Sequence, residues 1–160
     1  LCFAKRRPAD KSPGNLNDLV GNAARSACEL SGREPAACRL FLSQEPLPGM
    51  FSAREIEQAL ENIICNGLES KEQAVVEIET STDGKNAYIN VRDNGPGISK
   101  GQHLFAPFVT TKHDKGCLGL GLTVAQSIVH AHGGLITLAS ESGCGTNVEV
   151  VLPLHAIPQP

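Results

Sequence analysis

The chain has 160 residues, 41% of them hydrophobic and 19% charged, which is enough apolar material for the core of one domain. A net charge of −3 carries no electrostatic footprint for nucleic acid or an anionic membrane surface. No apolar run approaches the ~20 residues of a membrane helix. No secretory leader is read at the start, and the six cysteines (Cys2, Cys28, Cys38, Cys65, Cys117, Cys144) show no C-x-x-C spacing. They read as reduced thiols in a cytoplasmic protein, with no zinc site expected. Aromatics are only 4%, so the core must be built from Leu, Ile and Val.

In chain order, residues 1–15 are basic, then rich in Pro, Gly and Ser, and are expected to be a linker or a trimmed end. Residues 17–30 read as a helix whose apolar side carries Leu19, Val20, Ala23, Ala24 and Ala27. Residues 38–42 read as a short strand and 46–49 as a loop. Ser52 followed by Glu55 has the form of a capping box, opening a helix that runs to about residue 70. Residues 75–81 and 86–93 are expected to be strands joined by a turn at Asp83-Gly84-Lys85. A Gly- and Pro-containing stretch follows over 94–118, then a helix over about 119–132 ended by Gly133-Gly134, and strands over 135–140 and 146–154. Hairpins mixed with helices, rather than strict alternation, predict an α+β fold: a two-layer sandwich whose mixed, mostly antiparallel sheet is covered by helices on one face.

Four places depart from plain patterning. In the second helix, Asn62 and Asn66 stack one turn apart opposite the apolar stripe Ile56, Leu60, Ile63, Ile64 and Leu68. Asn is a poor helix former, so the pair is either a solvated face or an oxygen site for Mg²⁺ and phosphate. Asp93 is in phase with Ala87, Ile89 and Val91. It is therefore either an inward carboxylate in need of a donor, such as an adenine amino group, or the first residue of a turn. The run Gly116-Cys117-Leu118-Gly119-Leu120-Gly121-Leu122 precedes a helix and fits either a phosphate cradle or a plain loop. Thr146, after Gly143-Cys144-Gly145, is in phase with Val148, Val150 and Leu152, so its hydroxyl either meets a base nitrogen or water beside Asp93 or bonds to backbone.

Taken in order, these pieces resemble the catalytic, ATP-binding domain of bacterial sensor histidine kinases, a member of the wider Bergerat ATPase superfamily shared with gyrase, MutL-type and Hsp90-type proteins. The resemblance spans about residues 16–153. Asn62-Ile63-Ile64-Cys65-Asn66 resembles the N box, and Asp93-Asn94-Gly95-Pro96-Gly97-Ile98 the first glycine box. Leu104-Phe105-Ala106-Pro107-Phe108 with Thr110-Thr111-Lys112 resembles the F box. Gly119-Leu120-Gly121-Leu122 resembles the second glycine box, and His132-Gly133-Gly134 and Gly143-Cys144-Gly145-Thr146 the closing segments. Pro107 to Lys112, together with Glu69-Ser70, is most similar to the nitrogen-regulation type.

The resemblance implies ATP and Mg²⁺ as cofactors and a catalytic domain over 16–157, with residues 1–15 as the end of a dimerisation and phosphoacceptor region. Asp93, Gly97 and Thr146 would contact adenine, and Gly95 and Ile98 would also belong to the nucleotide site. Asn66 would bind the metal with Asn62 in support. Gly119, Gly121 and Lys112 would meet the phosphates, Thr110, Thr111, Leu120 and Leu122 would also belong to the nucleotide site, and Asn62, Asn66 and Lys112 would be the catalytic set. Phe105 and Phe108 would touch the partner bundle or tune the lid. The implied reaction moves the γ-phosphoryl group of ATP to a histidine on a helical hairpin of the same parent protein, and from there to a response regulator. No nucleic-acid partner and no direct membrane contact are implied. The position that would hold a water-activating glutamate in gyrase-type relatives is Asn62, and Glu61 is about 100° away around the helix. That suits a kinase rather than a hydrolase. Two departures stand out: Gly67 where Ala is common, expected to loosen the helix, and Cys117 where a glycine is common, expected to alter lid closure. The histidines His103, His113, His130, His132 and His155 lie outside the expected acceptor hairpin. Two other readings on the same fold are a serine kinase of the anti-sigma-factor type and a nucleotide-free docking module.

Overall fold

The computed structural model of the chain describes residues 10–98 and 121–155. Helix α1 (Leu16–Leu30) begins where Asn15 can satisfy two backbone donors: its Oδ1 accepts the N–H of Asn17 at 3.2 Å and that of Leu47 at 3.0 Å. Its apolar side, including Leu16, Val20, Ala23 and Ala27, is fully buried. Helix α2 (Ala53–Leu68) buries Ile56, Leu60, Ile63, Ile64 and Leu68. That leaves Asn62 half-buried and Asn66 exposed on the other side. Each such aliphatic burial contributes roughly 1.5–3 kcal/mol before chain entropy is charged against it. Helix α3 (Gly121–Ala131) completes the helical layer, packing against α2 and the sheet.

The main sheet has five strands in the order β2 (Cys38–Phe41), β4 (Val76–Thr82), β5 (Asn86–Asp93), β7 (Gly145–Pro153) and β6 (Leu135–Glu141). β2 and β4 run parallel, and every other neighbouring pair is antiparallel. Alternation sends Val76, Ile78, Ala87, Ile89, Val148 and Val150 into the helical layer, while Glu79, Ser81 and Arg92 face outward. The architecture is the two-layer α+β sandwich expected, and the eight elements named from sequence lie within two residues of their expected bounds.

Local differences have physical reasons. Part of the expected linker is structured: β1 (Ser12–Asn15) pairs antiparallel with β3 (Pro48–Phe51), so residues 12–15 belong to the folded unit and the expected loop at 46–49 runs into a strand. Leu16 N–H also donates to Leu47 O at 2.9 Å. No capping box forms at Ser52, whose side chain makes no capping bond. Instead its backbone N–H donates to Nε2 of His132 at 3.1 Å, while Nδ1 of that ring lies 2.9 Å from Ile128 O. A carbonyl can only accept, so Nδ1 carries the proton. One buried imidazole thus joins the start of α2 to the end of α3.

Candidate functional site

The site begins at the C-terminal end of β5. Asp93 stays in the ladder, opposite Val76, and its Oδ1 accepts the N–H of Gly95 at 2.8 Å. It is therefore both the last strand residue and the opening of the turn. The ladder between β5 and β7 ends at Arg92 opposite Asn147, and one step further its register sets Asp93 beside Thr146 on the helix-facing side. Helix α2 crosses directly over this carboxylate because Gly67 lacks a side chain. A β-carbon there would lie 2.8 Å from Val76 Cγ2 and 3.3 Å from Asp93 Cβ. Helix α2 ends one residue past Gly67, at Leu68, and the glycine allows this close approach. A β-carbon on Gly95 would meet Ser70 Oγ and lie 2.7 Å from Asp93 Oδ1.

The segment after Asp93 is clamped along its length. Asn94 exchanges two bonds with Val75: its N–H donates to Val75 O at 3.2 Å, and its Oδ1 accepts Val75 N–H at 2.8 Å. Pro96 O accepts Gly143 N–H at 2.6 Å, and Ile98 N–H donates to Ser140 Oγ at 2.8 Å. Gly97 and Gly145 take φ values of +71° and +81°. Side chains at these two positions would run into Glu141 O and Asp93 O. Backbone is thereby brought against backbone around the carboxylate. Thr146 Oγ1 lies 2.9 Å from Ser140 Oγ.

The second part of the site lies on α2. Asn62 and Asn66 face the first residue of α3: a β-carbon on Gly121 would stand 3.7 Å from Asn62 Cβ and 3.9 Å from Asn66 Nδ2. Two side-chain amides thus stand beside Gly121 of α3, polar groups able to donate to an anion or accept from a ligand. Leu122, expected in the nucleotide site, is half-buried and packs on the hydrophobic core. Cys65, between the two asparagines in sequence, has its thiol pushed up by burial, so it is not a ready thiolate. Burial and neighbouring Cys28 push Cys38 up to about 12, and the two sulfurs are 3.4 Å apart as free thiols.

The structure brings together Asp93, Gly95, Gly97, Ile98 and Thr146, and separately Asn62, Asn66 and Gly121. Thr110, Thr111, Lys112, Gly119 and Leu120 lie outside the described residues, as do Phe105, Phe108 and Cys117. Sequence reasoning missed Ser140. It sits in phase with Ile136 and Leu138, and its position opposite Thr146 is visible only once the β6–β7 register is known. It also missed the close approach of Gly67 to Asp93.

A family model described as the histidine kinase-, DNA gyrase B- and HSP90-like ATPase matches residues 52–156. The sensor protein TdiS of Thauera aromatica is 30% identical over 95% of this chain and 29% of its own length. Sporulation kinase D of Bacillus subtilis is 42% identical over 72% of this chain and 23% of its own length. The chain thus spans under a third of these curated relatives. Among solved structures, the catalytic domain of histidine kinase ThkA superposes with a TM-score of 0.75 at 24% identity, covering 91% of this chain and 96% of that one. Full-length ShkA in complex with AMPPNP superposes with a TM-score of 0.76 at 22% identity over 92% of this chain and 32% of that one. Both likenesses concern the fold.

Proposed function

Because the chain belongs to the histidine kinase-, DNA gyrase B- and HSP90-like ATPase family, with an ATP-binding domain of the histidine-kinase kind, we propose that it transfers the γ-phosphoryl group of ATP to a histidine on a helical hairpin of its parent protein. A response regulator would then receive that group. The observation that carries the proposal is Asp93 and Thr146 side by side at one end of the sheet, with the asparagine pair of α2 facing Gly121 of α3.

The chain's own groups suit the nucleotide. Asp93 is a carboxylate that can accept from the adenine amino group. Gly97 and Gly145 let backbone pack closely against backbone beside it, where a side chain at either position would clash. Asn66 offers an exposed side-chain oxygen of the hard type that Mg²⁺ takes, with water and phosphate completing its shell. The amide of Asn62 and the first N–H groups of α3 would hold the phosphates. Bound Mg-ATP supplies the phosphoryl group and its charge neutralisation. The residues present position it and exclude a competing base, since Asn62 stands where a hydrolase needs a glutamate. Lys112, Thr110, Thr111, Gly119 and Leu120 are proposed to close over the phosphates. The domain is proposed to extend from residue 16 to 157 and to work on the cytoplasmic side of its parent. No described helix is long and apolar enough to cross a membrane.

The test is calorimetric titration with ADP and a non-hydrolysable ATP analogue, with and without Mg²⁺, for the parent chain and Asp93→Asn. Loss of a charge-assisted hydrogen bond costs about 1.5–3 kcal/mol, roughly ten- to a hundredfold in affinity. Supplying the parent's own hairpin should then yield phosphohistidine. Tight ATP binding with no transfer to that hairpin would refute the kinase reading, and no binding at all would leave a docking module.

A further inference from the structure

Ser140 sits where three parts of the base-side pocket meet, and its hydroxyl touches each of them. Its Oγ lies 2.8 Å from the N–H of Ile98, 3.0 Å from Gly145 O and 2.9 Å from Thr146 Oγ1. A hydroxyl has one proton and two lone pairs. The Ile98 N–H can only donate, so it occupies one lone pair. The Gly145 carbonyl can only accept, so it takes the one proton. The third contact then has a single consistent form: Thr146 donates its proton to the remaining lone pair of Ser140. All three valences of Ser140 are used, and the direction of the Thr146 hydroxyl follows from them.

We infer that Ser140 is a specificity-positioning residue for the purine 6-position: by taking the Thr146 proton it leaves Thr146 as an acceptor only, alongside the carboxylate of Asp93. Two neighbouring acceptors select a ligand edge that donates to them directly, as the 6-amino group of adenine does. A 6-oxo purine presents an acceptor there and meets only acceptors. Ser140 reaches the ligand through Thr146, and it also fixes the Gly97–Ile98 backbone against the β6–β7 turn. The placement is economical in sequence terms. Ser140 is the cross-strand neighbour of Thr146 and lies in phase with buried Ile136 and half-buried Leu138, a polar residue at the end of an apolar run.

This inference rests on the nucleotide reading above, and the experiment separates the two. ADP and IDP, which differ at the purine 6-position, are titrated calorimetrically into the parent chain, Ser140→Ala, Ser140→Thr, Thr146→Val and the Ser140→Ala/Thr146→Val double variant, with melting temperatures recorded for each. The parent is expected to prefer ADP. In Ser140→Ala the Thr146 hydroxyl is free to turn, so the ADP-to-IDP preference should fall about tenfold, the value of one well-made hydrogen bond. Ser140→Thr, which keeps the hydroxyl, should restore the preference. In the Thr146→Val background, removing Ser140 should change the preference less than about twofold, because the group it orients is gone. An unchanged preference in folded Ser140→Ala overturns the inference. So does an equal shift with and without Thr146, which would make Ser140 a general support of the turn. If Ser140→Ala does not fold, the parent, Ser140→Thr and Thr146→Val still decide it: Thr146→Val must lose the preference that Ser140→Thr keeps. A parent chain that binds neither nucleotide defeats the nucleotide reading itself.

Discussion

At the scale of single residues, two polar groups do structural work out of proportion to their size. His132 is 4% exposed and holds Ser52 N–H and Ile128 O at once. Replacing it with Leu keeps the bulk but leaves the Ser52 N–H without its acceptor. An orphaned buried donor costs about 1–3 kcal/mol, and urea unfolding of His132→Leu should show a loss in that range. Asp83 acts at the surface. Its carboxylate accepts from the backbone N–H of Asn86 and Lys85 and from the Tyr88 hydroxyl, which holds it well below the usual carboxylate range. The depressed folded-state value fixes the sign: the stabilisation is present above the unfolded-state value, near pH 4, and is lost as pH falls below it. Asp83→Ala should therefore have a lower urea midpoint than the parent at pH 7, with the gap narrowing as pH is taken below about 4. A gap that stays constant down to the acid limit would rule this out. Neither role announces itself in sequence. His132 reads as a helix terminator beside Gly133-Gly134, and the acceptor count of Asp83 emerges only when the β4–β5 turn closes.

At the scale of elements, the apolar stripes and turn residues already spell out the helices and five of the seven strands. Hydrophobic spacing and glycine placement act over a few residues, and α2 and β5 are cases where both agree. Asn62, Asn66 and Asp93 drew notice for the same reason, since each breaks a local pattern, although spacing alone left a purely structural role open for all three. Closeness between elements was not legible. Gly67 looked like a weak point in α2, yet the structure uses it to seat the helix against Val76 and Asp93. Gly67→Ala should gain about 1 kcal/mol of helix propensity and lose about 1–3 kcal/mol to overpacking against a β-branched neighbour. A net loss of about 1 kcal/mol is expected. Val76→Ala makes room for the new methyl, so the double variant should lose less than the sum of the two single ones. Strict additivity would show that the contact carries no strain.

At the scale of the whole molecule, the N-terminal arm is part of the fold. β1 pairs with β3, and Asn15 closes both the start of α1 and the Leu47 turn. A four-residue strand of Ser, Pro, Gly and Asn has no apolar alternation to betray it, so composition alone pointed to a linker. Its order comes from a partner more than thirty residues away, a distance that local patterning does not register. Removing residues 1–15 should lower stability by about 2–3 kcal/mol, combining a lost helix cap with an unpaired Leu47 N–H. Asn15→Ala alone should account for about half of that, and both are read from denaturant midpoints. A truncated chain as stable as the parent would mean that the strand merely rests on the surface.

The strand order has one more consequence. Among the described residues β2 is an edge strand of the main sheet, paired with β4 alone, and it carries Leu40 and Phe41, 42% and 56% exposed. Such an edge is a template for self-association, blunted here by its four-residue length. In concentrated solution the colloidal behaviour of the molecule should therefore be governed at β2: Phe41→Lys is expected to raise the concentration at which light scattering first reports aggregates, while the melting temperature stays where it was.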